Sequence, residues 1–184
     1  MKNTVLVVVD MLYDFIDGSL ACQGADEAVP NTVVFLKKHP ELPVLFVQDH
    51  HPANHSSFKE FGGIWPPHCV QGTRGAQVHE DLVPFTPDEG LIFYKGEDAA
   101  TEQYSGFEGK NAVGQHMSEV LHIMETEQVV LCGIATEYCV RNTAEDLLKD
   151  GFQVTVLQDC LAWVDADGHR KALEEMEKEG IKLA

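Results

Sequence analysis

The segment Val129-Val130-Leu131-Cys132-Gly133-Ile134-Ala135-Thr136-Glu137-Tyr138-Cys139-Val140 opens as a short apolar run of strand type and turns at Gly133. It continues into a helical pattern, with Val140, Ala144, Leu147 and Leu148 recurring on one face. An apolar strand leading directly into an amphipathic helix is the unit from which parallel sheets are assembled. Thr136 stands where an N-cap is expected, which puts Cys139 in the first helical turn. A thiol there feels the positive end of the helix dipole, which favours thiolate. The same turn leaves backbone N–H groups unpaired and facing whatever the sulfur attacks. The other reading of Cys139 is a small core residue, because free cysteine is among the most buried residue types.

The same alternation extends in both directions. Residues 4–9 form an apolar strand, followed after a loop by a helix near residues 27–39 with Val29, Val33 and Leu36 on one face. Residues 44–47 and 91–94 read as the next strands. A helix is expected near residues 111–124, where Val113, Met117, Val120, Leu121 and Met124 are periodic. The helix over 136–149 is stopped by Gly151, a strand follows over 152–157, and a last helix over 167–179 ends at Gly180. The expected fold is α/β: a single domain over residues 1–184, with a mainly parallel sheet flanked by helices on both faces in a Rossmann-like three-layer arrangement. In such folds the active site lies at the carboxyl ends of the strands.

Composition narrows the function classes. The chain has 184 residues, enough for one sizeable core, and its 44% hydrophobic and 23% charged content is that of a soluble globular protein. No apolar run approaches the ~20 residues that span a bilayer, and the opening Met1–Val9 is too short for a signal peptide, so the cytoplasm is the expected compartment. Five cysteines without a C-x-x-C pair argue for free thiols rather than a disulfide framework. A formal charge of −17 argues against nucleic acid or an anionic membrane as partner. It suits a neutral or cationic small molecule, or a solvated surface alone, and it leaves a homo-oligomer open.

Polar residues interrupt the apolar pattern at the strand ends. Asp10 follows the first strand, where burial would raise its pKa and suit it to general base work; a turn aspartate is the alternative. Lys95 ends the third strand and can pair with Asp10 and lower the thiol pKa of Cys139. Asp49 and His51, two residues apart at an extended end, point the same way, and His68 arrives on a loop stiffened by Pro66 and Pro67. One carboxylate and two imidazoles suit zinc, iron or manganese with positions left open for water or ligand. Structural histidines are the alternative. His50 should point away from this face, His55 reads as a loop histidine or a ligand, and Ser57 can complete or support a fourth position.

At these residues the chain resembles the nicotinamidases (pyrazinamidase-type) of the isochorismatase-like cysteine hydrolase superfamily. The likeness runs from Val9-Asp10 and Asp14-Phe15 through Asp49-His50-His51-Pro52-Ala53-Asn54-His55 and Trp65-Pro66-Pro67-His68-Cys69. It continues through Tyr94-Lys95-Gly96 and Tyr104-Ser105-Gly106-Phe107 to Gly133–Val140. The resemblance implies Asp10, Lys95 and Cys139 as a catalytic triad and a divalent metal, zinc first, at Asp49, His51 and His68. It also implies a cis peptide between Ile134 and Ala135, an oxyanion hole from the N–H groups of Ala135 and Cys139, and substrate walls from Phe15, Trp65 and Tyr104. The implied reaction is hydrolysis of nicotinamide to nicotinate and ammonia through a Cys139 thioester, in pyridine nucleotide (NAD) salvage. Another small amide or a carbamoyl compound is the alternative substrate. The chain departs from the family pattern at Leu12-Tyr13, where relatives often carry Gln-Asn, and at Ser57, whose counterpart varies. A metal-hydroxide hydrolase and a non-catalytic binding protein are the rival classes.

Overall fold

Apolar runs rich in β-branched residues bury both faces of a strand, and here they pair into one six-stranded parallel sheet. The computed structural model describes residues 3–184; Met1 and Lys2, part of the opening read above for targeting, lie outside the described residues. The strands are β1 (Thr4–Val9), β2 (Val44–Asp49), β3 (Ile92–Lys95), β4 (Gln128–Ile134), β5 (Gln153–Ala162) and β6 (Lys182–Leu183). Their order is β3-β2-β1-β4-β5-β6. The helices are α1 (Tyr13–Ile16), α2 (Ala25–Lys38), α3 (Met117–Ile123), α4 (Arg141–Lys149) and α5 (Ala166–Glu179).

Strand alternation splits the core into two layers. Val5, Val7 and Val9 of β1 face Met117 and Leu121 of α3, Ala144 and Leu147 of α4 and Met176 of α5. Leu6 and Val8 face Ala25, Ala28, Val29 and Leu36 of α2. The chain builds outward from β1 through β2 to β3 on one side and from β4 through β5 to β6 on the other. The direction reverses between β1 and β4, and that switch point opens a crevice at the carboxyl ends of the strands. Gly133 makes the closest approach there: its φ is 136°, and a Cβ would lie 2.0 Å from the Val9 carbonyl oxygen. Among the described residues no helix is long and apolar enough to cross a membrane.

Several expected elements are redrawn. The helix expected over 111–124 is confined to α3, because the Asn111 side chain accepts the N–H groups of Val113 and Gln115 and closes a turn instead. Val113 is therefore exposed, and α3 is capped by His116 and Glu119. Thr136 is not an N-cap: its hydroxyl donates to Ala162 O, Ala135 takes the cap position, and Thr136–Val140 forms a π-helical turn before α4. β5 runs on past Leu157 through a bulge facing Leu131 and Gly133, and the short β6 pairs beyond it.

Candidate active site

Asp49 and Lys95 are register partners at the ends of β2 and β3, so a buried carboxylate and a buried ammonium start side by side. Lys95, 1% exposed, reaches under the crevice, lies 2.9 Å from Asp10 Oδ2, donates to Asp49 Oδ1, and lies 3.4 Å from Cys139 Sγ. Asp10, beyond the end of β1, accepts the Asp49 backbone N–H on Oδ1 at 2.7 Å, and the Cys139 thiol is its neighbour. Four strand ends thus bring Asp10, Asp49, Lys95 and Cys139 into one dry cluster.

Burial pushes the Asp10 carboxyl up to about 6 against the pull of Lys95. Asp49 is raised by burial too, but the Lys95 ammonium and the two imidazoles outweigh this and hold it well below the usual carboxylate range. Lys95 would lose charge on burial, yet Asp10 and Asp49 push it well above its ordinary value. Burial, with both carboxylates, pushes the Cys139 thiol up despite Lys95. In the folded chain burial thus opposes the dipole and the ammonium that favour thiolate, and Asp10 stands beside the sulfur where a base is useful.

Asp49 also faces the histidines. Its Oδ2 lies 3.4 Å from His51 Nε2 and 3.8 Å from His68 Nε2, and the three donor atoms fall within 4.8 Å of one another. His51 Nδ1 lies 2.9 Å from Gly96 O and His68 Nδ1 lies 2.8 Å from Pro66 O. A ring nitrogen against a carbonyl carries a proton, so Nε2 is in each case the atom left facing the carboxylate, and it can ligate a cation once it is free of its own proton. This donor set fits a divalent cation. Gly96 is needed here, since with φ 69° a Cβ would meet the His51 ring at 2.3 Å. His55 is engaged at both nitrogens, with Ser57 Oγ at 2.7 Å and Thr101 O at 3.1 Å, and stands outside the converging set. His50 is turned outward to Glu97.

Between the nucleophile and the donor trio lies a slot walled by Phe15, Trp65, Tyr104 and Tyr138. Its walls are mostly aromatic, which suits a ring. Trp65 Nε1 donates to Tyr104 Oη at 3.1 Å, and both rings lean on Tyr138. Ala135 and Cys139 line the slot as well, from the turn that follows the cis Ile134–Ala135 peptide.

The isochorismatase domain family matches residues 4–184. The chain belongs to the isochorismatase family. This isochorismatase-family chain is 38% identical over 183 residues to a nicotinamidase/pyrazinamidase of Mycobacterium tuberculosis, over 97% of this chain and 96% of that one. It is similar, at TM-score 0.89 and 38% identity, to the crystal structure of pyrazinamidase of Pyrococcus horikoshii in complex with zinc, covering 99% of this chain and 98% of that. PnC1 from L. infantum in complex with nicotinate is similar at TM-score 0.85 and 33% identity, covering 99% and 92%.

Sequence reasoning passed over several residues of this isochorismatase-family site. Tyr138 is an aromatic wall; a bulky ring one residue before the nucleophile was a usable signal. Asp14 holds the His68 loop by accepting the Cys69 N–H at 2.8 Å, and Phe58 packs edge-on against His51 and His68. Thr143 donates to Cys139 O at 2.6 Å and accepts the Gly106 N–H at 2.8 Å, tying the nucleophile turn to the segment carrying Tyr104. Its place on α4 is visible in sequence, but its partners are not.

Proposed function

We propose that this chain hydrolyses nicotinamide to nicotinate and ammonia through a thioester on Cys139, and so serves pyridine nucleotide salvage. The observation that carries the reading is Lys95 Nζ held between Asp10 and Asp49 at 3.4 Å from the Cys139 sulfur, beside a slot lined by aromatic rings. The names of its relatives, nicotinamidase and pyrazinamidase, supply the substrate class.

Asp10, with a carboxyl near 6, is mostly ionised at neutral pH and takes the thiol proton as the sulfur attacks the carboxamide carbon. The Lys95 ammonium stabilises the thiolate and keeps the two carboxylates compatible. The N–H groups of Ala135 and Cys139 receive the oxyanion, each such donor being worth about 3 kcal/mol. Asp10 then returns the proton to the departing ammonia, and water attacks the thioester with Asp10 again as base, releasing the acid and the free thiol. Phe15, Trp65, Tyr104 and Tyr138 sandwich the ring and exclude bulk water. Asp49, His51 and His68 would hold a divalent cation, zinc by the donor set with iron or manganese compatible, which would supply Lewis acidity toward the pyridine nitrogen.

The test is ammonia release from nicotinamide by purified protein and by Cys139→Ala. The wild type turns over; the variant keeps its metal content and falls below about 10% of wild-type kcat, at least 1.4 kcal/mol of barrier. A variant above that level would remove Cys139 from the mechanism and favour direct attack by water.

A further inference from the structure

Hydrolysis of an amide leaves the ring unchanged and replaces a neutral carboxamide by a carboxylate of nearly the same shape. A slot that reads shape alone holds both, and oxyanion donors beside a cation favour the acid. A negative charge at the slot would oppose this and favour release of the acid. Asp49 cannot serve, because its charge faces Lys95 and the two imidazoles. The other carboxylate lining the slot is Glu102, which stands exposed on the segment leading to Tyr104. It accepts the N–H of its neighbour Gln103 at 3.1 Å and forms no ion pair among the described residues. Its charge is felt at Tyr104, which walls the slot. The formal charge of −17 adds a field of the same sign.

We propose that Glu102 is a specificity-determining residue that sets the charge of what reaches Cys139: neutral and cationic amides are admitted, anions are disfavoured, and a carboxylate product is driven out. The product clause rests on the amidase reading above; the selection against anions does not. Glu102 neither touches the sulfur nor shares its proton network, so its effect is on access and retention.

The experiment compares two alkylating agents of similar size, neutral iodoacetamide and anionic iodoacetate, on Cys139, followed by mass spectrometry of the peptide. Both consume the same thiolate, so the ratio of their rates cancels thiol ionisation and general accessibility. Glu102→Gln should raise the iodoacetate-to-iodoacetamide ratio by about two- to fivefold at low ionic strength, the scale of one solvent-exposed charge at short range. Glu102→Lys should raise it further, and about 0.5 M salt should bring all three proteins together. A ratio unchanged in both variants at low salt overturns the proposal. In turnover assays, Glu102→Gln should lower the inhibition constant of nicotinate relative to the KM of nicotinamide by a similar factor. If the wild type releases no ammonia from nicotinamide, the substrate reading fails, while the alkylation ratio still decides the role of Glu102.

Discussion

Replacing Lys95 by Met keeps the length and apolar stem of the side chain and deletes its ammonium. The structure sets two separate costs. Asp10 and Asp49, both buried, lose their common counter-charge, and breaking a buried ion pair from one side costs about 3–5 kcal/mol. For a chain of this size each kcal/mol lowers Tm by roughly 2–4 °C, so a fall of about 6–20 °C is expected in thermal unfolding. The second cost falls on chemistry. An ammonium 3.4 Å from a thiolate, at an effective dielectric of about 20, contributes roughly 5 kcal/mol, or more than three powers of ten in rate. The assay is alkylation of Cys139 by iodoacetamide across pH, at a temperature where circular dichroism shows the variant folded. Labelling should be slowed at every pH where the wild-type thiolate forms. A variant with wild-type Tm and a wild-type labelling profile would mean that Lys95 neither balances the carboxylates nor stabilises the sulfur.

His51→Ala and His68→Ala should each deplete bound metal in elemental analysis and collapse kcat/KM for nicotinamide, while Cys139 remains open to iodoacetamide. With wild-type protein, restoring metal after chelation should rescue nicotinamide far more than benzamide, which lacks the ring nitrogen; equal rescue would move the metal from orienting the ring to another role. Thr143→Val should raise KM more than it lowers kcat, because it frees the Gly106 N–H and loosens the Tyr104 segment, and Thr143→Ser should restore KM; a variant unchanged in both parameters would leave Thr143 with a helix-internal bond only. Gly133→Ala should cost more than about 4 kcal/mol in denaturant unfolding, since the new methyl would meet the Val9 backbone, which cannot move aside; a loss under 1 kcal/mol would contradict that contact.

The sheet was legible in the chain because β1, β2 and β4 are buried on both faces and write that burial as unbroken Val, Leu and Phe. For the same reason Asp10, Asp49 and Lys95 stood out, each a charged residue at or just past the end of a strand, where a parallel sheet exposes its carboxyl edge. Periodicity misled at Val113, because a single Asn111 side chain can outbid a helical turn, and at Thr136, whose hydroxyl is taken by a carbonyl 26 residues away. Tertiary structure alone decided which side chains share a volume. It set Lys95 between two carboxylates and a sulfur, turned both Nε2 atoms toward Asp49 through carbonyls of Gly96 and Pro66, and gave Tyr138 a face on the slot. It also set burial against the dipole and ammonium at Cys139. The dipole and ammonium that favour thiolate are local and readable from spacing, whereas the desolvation that opposes them depends on every layer packed over the sulfur, and burial of that kind exists only once the chain has folded.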